Sequence, residues 1–209
     1  MTENSKCAQC RREGTKLFLK GDRCFGTKCA IVKRNFAPGV HGPSANKRSK
    51  LTDYGKQLRE KQAAKRSYVL RERQFSNYVA KAVKKRTNTE DHLIALLESR
   101  LDNVVYRLGY GVSRIAARQL VGHGFIFVNG KKVDIPSYQV DAGDIITINP
   151  TKVNRKLVNE VKERIKSKEV PGWLNLAKDK LEAKVLSVPK LEVAERGFDV
   201  KTIIEYYSR

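Results

Sequence analysis

The chain has no cysteine after residue 29 and no apolar run near the ~20 residues that span a bilayer. Histidine is scarce: His41, His92 and His123 are the only three. There is no Gly-rich nucleotide loop and no credible nucleophile–base pair. The first six residues are polar, and no apolar segment of a secretory leader follows them. Aromatic residues are few, with one Trp, eight Tyr and seven Phe. Acidic residues are thin in one part of the chain, since 6 of the 22 Asp and Glu lie in the first 86 residues. These shortages count against a membrane span, a secreted domain and a nucleotide-driven enzyme. The default expectation is a cytoplasmic protein. At 209 residues and 40% hydrophobic, the chain is long enough for one or two domains with a buried core.

The four cysteines are all early: Cys7 and Cys10 two residues apart, then Cys24 and Cys29 four apart, with thirteen residues between the pairs. Two close pairs bracketing one loop is the layout of a tetrahedral Zn²⁺ site. Four thiolates at about 2.3 Å close the coordination sphere, so such an ion folds an arm and performs no hydrolysis. The same residues allow another thiophilic metal, a pair of disulfides, or four reduced thiols. Disulfides imply an oxidising compartment, which nothing else in the sequence indicates. Lys6, Arg11, Arg12, Arg23, Lys28, Lys33 and Arg34 surround the cysteines. They offset the charge of a Cys₄ zinc centre and leave a surplus for an anion.

The net charge is +21, and it is lopsided. The first 86 residues hold 23 Lys and Arg against 6 acids, a net of +17; the rest holds 20 against 16, a net of +4. A one-sided basic field reads as a nucleic-acid surface. An anionic membrane is the competing partner, but these bases flank a cysteine cluster rather than one face of an amphipathic anchor.

Residues 1–35 read as the cysteine arm. Residues 36–50, FAPGVHGPSANKRSK, read as an extended linker. Residues 51–86 are helical in pattern, with a break near Ser67 or Ser76. Thr87 offers a capping box with Glu90. Leu93, Leu96, Leu97, Leu101, Val104, Val105 and Leu108 then recur at helical steps, predicting one helix that ends at Gly109. Asp102 falls within it as a surface or helix-end carboxylate. Ser113 is placed to cap a second helix ending near Gly122. The period then shortens. Phe125 to Val128, the turn Asn129-Gly130 and Lys131 to Val133 predict a hairpin, and Ile145 to Ile148 another strand. Residues 153–168 predict a helix with Leu157, Val158, Val161 and Ile165 inward. Residues 170–209 read as loop and short elements, ending in an apolar patch of Ile203, Ile204, Tyr206 and Tyr207.

Residues 99–148 resemble the S4 RNA-binding domain. The run that carries the likeness is SRIAARQLVGHGFIFVNGKKVDIPSYQVDAGDIITI, with LLESRLDNVVYRLGYG before it. The cysteine arm, FAPGVHGP, the helices of 51–86 and the terminal EYYSR are similar to the bacterial family of small-subunit ribosomal protein four. That likeness covers essentially the whole chain. It implies an α+β fold: a mostly helical N-terminal domain with a zinc-binding arm, plus a module of two helices packed on a small β-sheet. The boundaries expected are 1–45 for arm and linker, 46–92 for a helical rRNA-binding domain completed by 186–209, and 93–185 for the S4 domain with its extension.

The family further implies a structural, non-catalytic ribosomal protein. It would bind the 5′ domain of 16S rRNA, nucleate assembly of the subunit body and influence decoding accuracy. It would lie beside ribosomal proteins uS3 and uS5, near the channel through which mRNA enters. The cofactor expected is one structural Zn²⁺ on Cys7, Cys10, Cys24 and Cys29. The RNA contacts expected are Lys33, Arg34, Lys47, Arg48, Lys50, Arg66, Arg71, Arg114, Arg118, Gln119, His123, Asn129, Lys131 and Lys132. Arg114 and Arg118 share a helical face and can fork onto phosphate oxygens. Gln119 and Asn129 can reach hydroxyls or base edges. Each also has an ordinary structural use: His123 can cap a helix, and Asn129-Gly130 suits the turn whatever its function. Two other classes compete. Arg100-Leu101-Asp102 is similar to the motif of pseudouridine synthases, but only ~60 residues follow the module, short of a typical catalytic domain. A free-standing quality-control RNA binder differs by sedimenting with aberrant particles only.

Overall fold

The structure is a computed structural model that describes residues 6–43, 51–85, 88–152, 156–178, 180–190 and 197–208. Among these, nine α-helices and one five-stranded antiparallel sheet form an α+β fold. The chain divides into two compact units, residues 1–90 with 191–209 and residues 91–190.

The first unit contains no strand among its described residues. It comprises α1 (Lys6–Glu13), a 3₁₀ turn (Gly21–Cys24), α2 (Ala30–Lys33), α3 (Asp53–Ser67), α4 (Glu72–Lys84) and, from the far end of the chain, α9 (Val200–Tyr207). Thr52 caps α3 by accepting from the Gly55 N–H at 3.2 Å. In α4, Phe75, Tyr78, Val79 and Ala82 are buried at helical spacing. The break between α3 and α4 falls at Ser67; Ser76 lies inside α4. The terminal apolar residues do find a seat. Val200 and Ile203 of α9 are buried, and α9 packs against α3 and α4. Asp199 caps it through the Lys201 N–H at 3.0 Å.

The second unit takes up α5 (Thr89–Glu98) from residue 91, followed by α6 (Leu101–Arg107), α7 (Arg114–Gly122), β1 (Ile126–Val128), β2 (Lys131–Lys132) and β3 (Ile145–Ile148). A 3₁₀ turn (Pro150–Lys152), α8 (Lys156–Lys166), β4 (Leu174–Ala177) and β5 (Glu182–Val185) complete it. The strand order is β2-β1-β3-β5-β4, all antiparallel. Register places Ile126 opposite Ile148, Val128 opposite Ile146, and Ile146 opposite Ala183. These side chains are buried and meet Leu101, Val104, Leu108, Ala117, Val121, Val158 and Ile165 in one core. The alternation that buries them leaves Ile145, Lys184 and Asn175 outward. Asn129 and Gly130 both have positive φ, 50° and 77°, as a two-residue hairpin turn requires.

Four expectations change or sharpen. The helix foreseen from Leu93 to Leu108 is two helices. At Ser99 and Arg100 the backbone leaves the helix and bonds across: Val140 N–H to Ser99 O at 2.9 Å and Leu101 N–H to Tyr138 O at 2.8 Å. Of the two places open to Asp102, surface or helix end, it takes the second: it lies in the first turn of α6 and is 4% exposed. Leu157 points outward, 42% exposed, while Val158, Val161 and Ile165 go in. Within residues 170–209, read as loop and short elements, two of those elements are the strands β4 and β5, so the sheet is wider than the small one foreseen and α8 joins the two expected helices. The proposed cap Thr87 lies outside the described residues.

Candidate nucleic-acid interface

In the arm, α1 carries Cys7 and Cys10, the 3₁₀ turn ends on Cys24, and Cys29 precedes α2. All four are free thiols, and all four line one small cavity of about 20 Å³ with Leu19, Lys20 and Ile31. Cys10, Cys24 and Cys29 are buried. The Lys20 N–H points at Cys24 Sγ at 3.4 Å. Burial pushes the Cys10 thiol up, and repulsion from Cys24, Cys7 and Cys29 adds to it, against a lowering hydrogen bond from the Leu17 backbone. A thiophilic cation fits this donor set, since it would relieve that mutual repulsion. Among the described residues, though, no three Cys, His, Asp or Glu side chains stand gathered as a finished metal cage.

Beside the cysteines lies a cleft of about 810 Å³ bordered by Arg11, Arg23, Lys28, Lys33, Arg34 and Asp22. Lys28, Lys33 and Arg34 are exposed there. Arg11 is committed elsewhere: it donates to Phe36 O at 2.9 Å and lies 4.7 Å from the Phe36 ring centre. Lys47, Arg48 and Lys50 lie outside the described residues. Arg66 turns to the Glu13 carboxylate, which also takes Arg59 at 3.3 Å. Burial pushes the Glu13 carboxyl up, opposed by the pull of Arg66 and Arg59. Arg71 is exposed at the start of α4.

In the second unit, Ser113 caps α7 through the Ala116 N–H at 3.3 Å. The helix places Arg114 and Arg118 on one flank and Gln119 and His123 on another. Arg114 donates from Nε to Asn103 Oδ1 at 2.8 Å, and its guanidinium lies 4.7 Å from the Tyr106 ring centre. Arg118 Nη1 reaches Asp102 Oδ2 at 3.5 Å, with its side chain 39% exposed. Gln119 and His123 border a cavity of about 280 Å³ with Leu120, Phe125, Leu157 and Arg164. Gly124, at φ +64°, ends α7, and a Cβ there would strike Lys132 Cε at 2.4 Å. Lys131 and Lys132 are exposed beyond the hairpin tip, with Lys132 3.7 Å from Asp134. Asn129 uses its amide inside the fold: Nδ2 donates to Asp144 at 2.8 Å, and Oδ1 accepts from the Ile145 N–H at 2.9 Å.

Sequence reasoning passed over the residues behind this edge. Arg100 is fully buried and forks onto Asp102, Nε to Oδ1 at 3.0 Å and Nη2 to Oδ2 at 2.7 Å. Glu98, also fully buried, takes Arg107 at 2.8 and 2.9 Å and Asn103 at 2.8 Å. The one signal available was a pair of acids set within an apolar stripe.

Residues 2–98 match the family described as Ribosomal protein S4/S9 N-terminal domain, and residues 99–146 match the S4 domain. The chain is 52% identical over 203 residues to small ribosomal subunit protein uS4A of Alkaliphilus metalliredigens, covering 97% of this chain and 96% of that one. It is 49% identical over 207 residues to small ribosomal subunit protein uS4 of Koribacter versatilis, covering 99% and 98%. It is 51% identical over 204 residues to uS4A of Clostridium botulinum, covering 97% and 96%. With two adjoining domain matches and relatives of this identity along nearly the whole length, the chain belongs to the uS4 family of small ribosomal subunit proteins.

Proposed function

We propose that this chain, a structural and non-catalytic constituent of the small ribosomal subunit, binds the 5′ domain of 16S rRNA directly. In that role it nucleates assembly of the subunit body in the cytoplasm. It sits beside uS3 and uS5 near the channel through which mRNA enters, and contributes there to decoding accuracy. The observation that carries this reading is an S4 module on a chain with +17 of its +21 net charge in the first 86 residues. RNA junctions present phosphates and 2′-hydroxyls at fixed spacings and are read largely by shape. Exposed Lys28, Lys33 and Arg34 suit the backbone; Arg114, Arg118, Lys131 and Lys132 suit a folded junction. The test is filter binding of the full chain to separate 5′, central and 3′ domain transcripts of 16S rRNA. Preference for the 5′ domain is expected; equal binding to all three contradicts it.

The arm is proposed to hold one Zn²⁺ through Cys7, Cys10, Cys24 and Cys29. When bound, the ion would neutralise four crowded thiolates and tie α1, the 3₁₀ turn and the start of α2 together. Metal analysis after reducing, chelator-free purification should find one zinc per chain. An arm that folds fully without metal, judged by amide protection of residues 6–33, contradicts the proposal.

A further inference from the structure

Four guanidinium groups of the second unit converge on two buried carboxylates. Glu98 holds Arg107 by two hydrogen bonds of 2.8 and 2.9 Å and lies 3.9 Å from Arg114. Asp102 holds Arg100 by two bonds and meets Arg118 at 3.5 Å. Asn103 joins the halves. Its Nδ2 donates to Glu98, and its Oδ1 accepts from Arg114. The Tyr106 ring supports the face of Arg114. The side chains open outward in sequence: Arg100 is 0% exposed, Arg114 15%, Arg107 19% and Arg118 39%.

We propose that Glu98 and Asp102 are positioning residues for RNA binding, which fix Arg107, Arg114 and Arg118 as a preformed seat for backbone phosphate. The inference rests on the RNA-binding function proposed above. The argument that carries it is entropic, and the fork of a guanidinium matches phosphate oxygens two at a time. A mobile Arg loses much rotamer freedom on binding, whereas these are already clamped by carboxylate, amide or ring before RNA arrives. Buried ion pairs contribute little to stability over apolar residues of equal volume, so packing alone does not account for Glu98 at 0% exposure. Arg100, wholly internal, is the counter-charge that holds Asp102 in place.

The test uses the full chain and a 16S rRNA 5′-domain transcript, well below the unfolding temperature. Glu98→Gln and Asp102→Asn keep shape and remove charge. Each should weaken binding about tenfold, as expected when one charge-assisted hydrogen bond is removed. Glu98→Gln should add nothing to Arg107→Ala/Arg114→Ala, and Asp102→Asn nothing to Arg118→Ala, because each carboxylate acts only through the Arg side chains it holds. Leu97→Ala, in the fully buried part of α5, serves as the destabilised control and should bind like wild type. Affinity of Glu98→Gln within about twofold of wild type, or effects that multiply in the combined variants, overturns the inference. So does an equal weakening in Leu97→Ala, which makes the carboxylates merely structural. If Glu98→Gln does not fold, the Asp102 and Arg118 pair, at the open end, decides by the same criteria. Wild type that fails to bind the transcript overturns the RNA reading itself; wild type that binds while the carboxylate variants are silent overturns this inference alone.

Discussion

Lys28, Lys33 and Arg34 of the arm stand in solvent around an open cleft, whereas Arg100, Arg107 and Arg114 of the second unit are folded inward onto carboxylates. The two regions place cations for one polyanionic partner by different physics. The arm offers exposed charges. Their value lies in counterion release, which is indifferent to sequence and falls with salt. The second unit offers few charges in fixed places, which suits a folded junction recognised by shape. This difference also sets what each region tolerates. An exposed Lys can be replaced without harm to the fold, but a buried Arg cannot.

The sharpest way to break the contrast is Arg100→Ala. It removes both short bonds to the buried Asp102 carboxylate and leaves the 3.5 Å contact with Arg118, and breaking a buried pair costs about 3–5 kcal/mol. Thermal stability of the second unit should fall accordingly; a drop under about 1 kcal/mol would place Asp102 in contact with water. Next in size is Leu120→Ala, which removes part of a side chain packed against the core and lowers stability, with RNA affinity reduced only as a consequence. Affinity measured well below its melting temperature should match wild type.

A smaller effect lies in the first unit. Burial raises the Glu72 carboxyl, but hydrogen bonds from Lys61, Lys65 and Tyr207 outweigh it and bring the pKa down to about 2. Its unfolded value is near 4.3. Because the folded pKa is the lower one, its stabilisation is complete above about pH 4.5 and disappears as pH falls toward 2. The side chain is 47% exposed, so screening holds the effect to about 1 kcal/mol or less. Glu72→Gln should flatten acid unfolding over that window; an unchanged acid limb would show that the Lys61 and Lys65 pairs contribute nothing there.

Local signals in the sequence carried the helix starts and the turn. Ser113 caps α7, Gly109 at φ +82° ends α6, and Asn129-Gly130 makes the hairpin, because each depends on a few adjacent residues. What was hidden depends on distant partners. β5 is four residues, EAKV, whose identity as a strand comes from pairing with β3. The break at Ser99 and Arg100 exists because Tyr138, Gln139 and Val140 bond to it across the fold. The burial of Asp102 was hidden because nothing local reveals that Arg100 and Arg118 will close over it. The candidate RNA-binding residues were legible as charges on α7 and the hairpin, but not the use Asn129 makes of its amide inside the turn.

The most direct measurement is the salt dependence of 16S rRNA 5′-domain binding by wild type, by Lys28→Gln/Lys33→Gln/Arg34→Gln, and by Arg114→Ala/Arg118→Ala. Removing one neutralised phosphate should flatten the slope of log affinity against log salt by about 0.7–0.9. The triple arm variant should therefore show a slope shallower by about two units while melting like wild type. The double variant of α7 should bind more weakly at every salt concentration, with a smaller change of slope and a lower melting temperature. Equal slopes in wild type and the arm variant, or an α7 variant that binds as wild type does, would contradict the account.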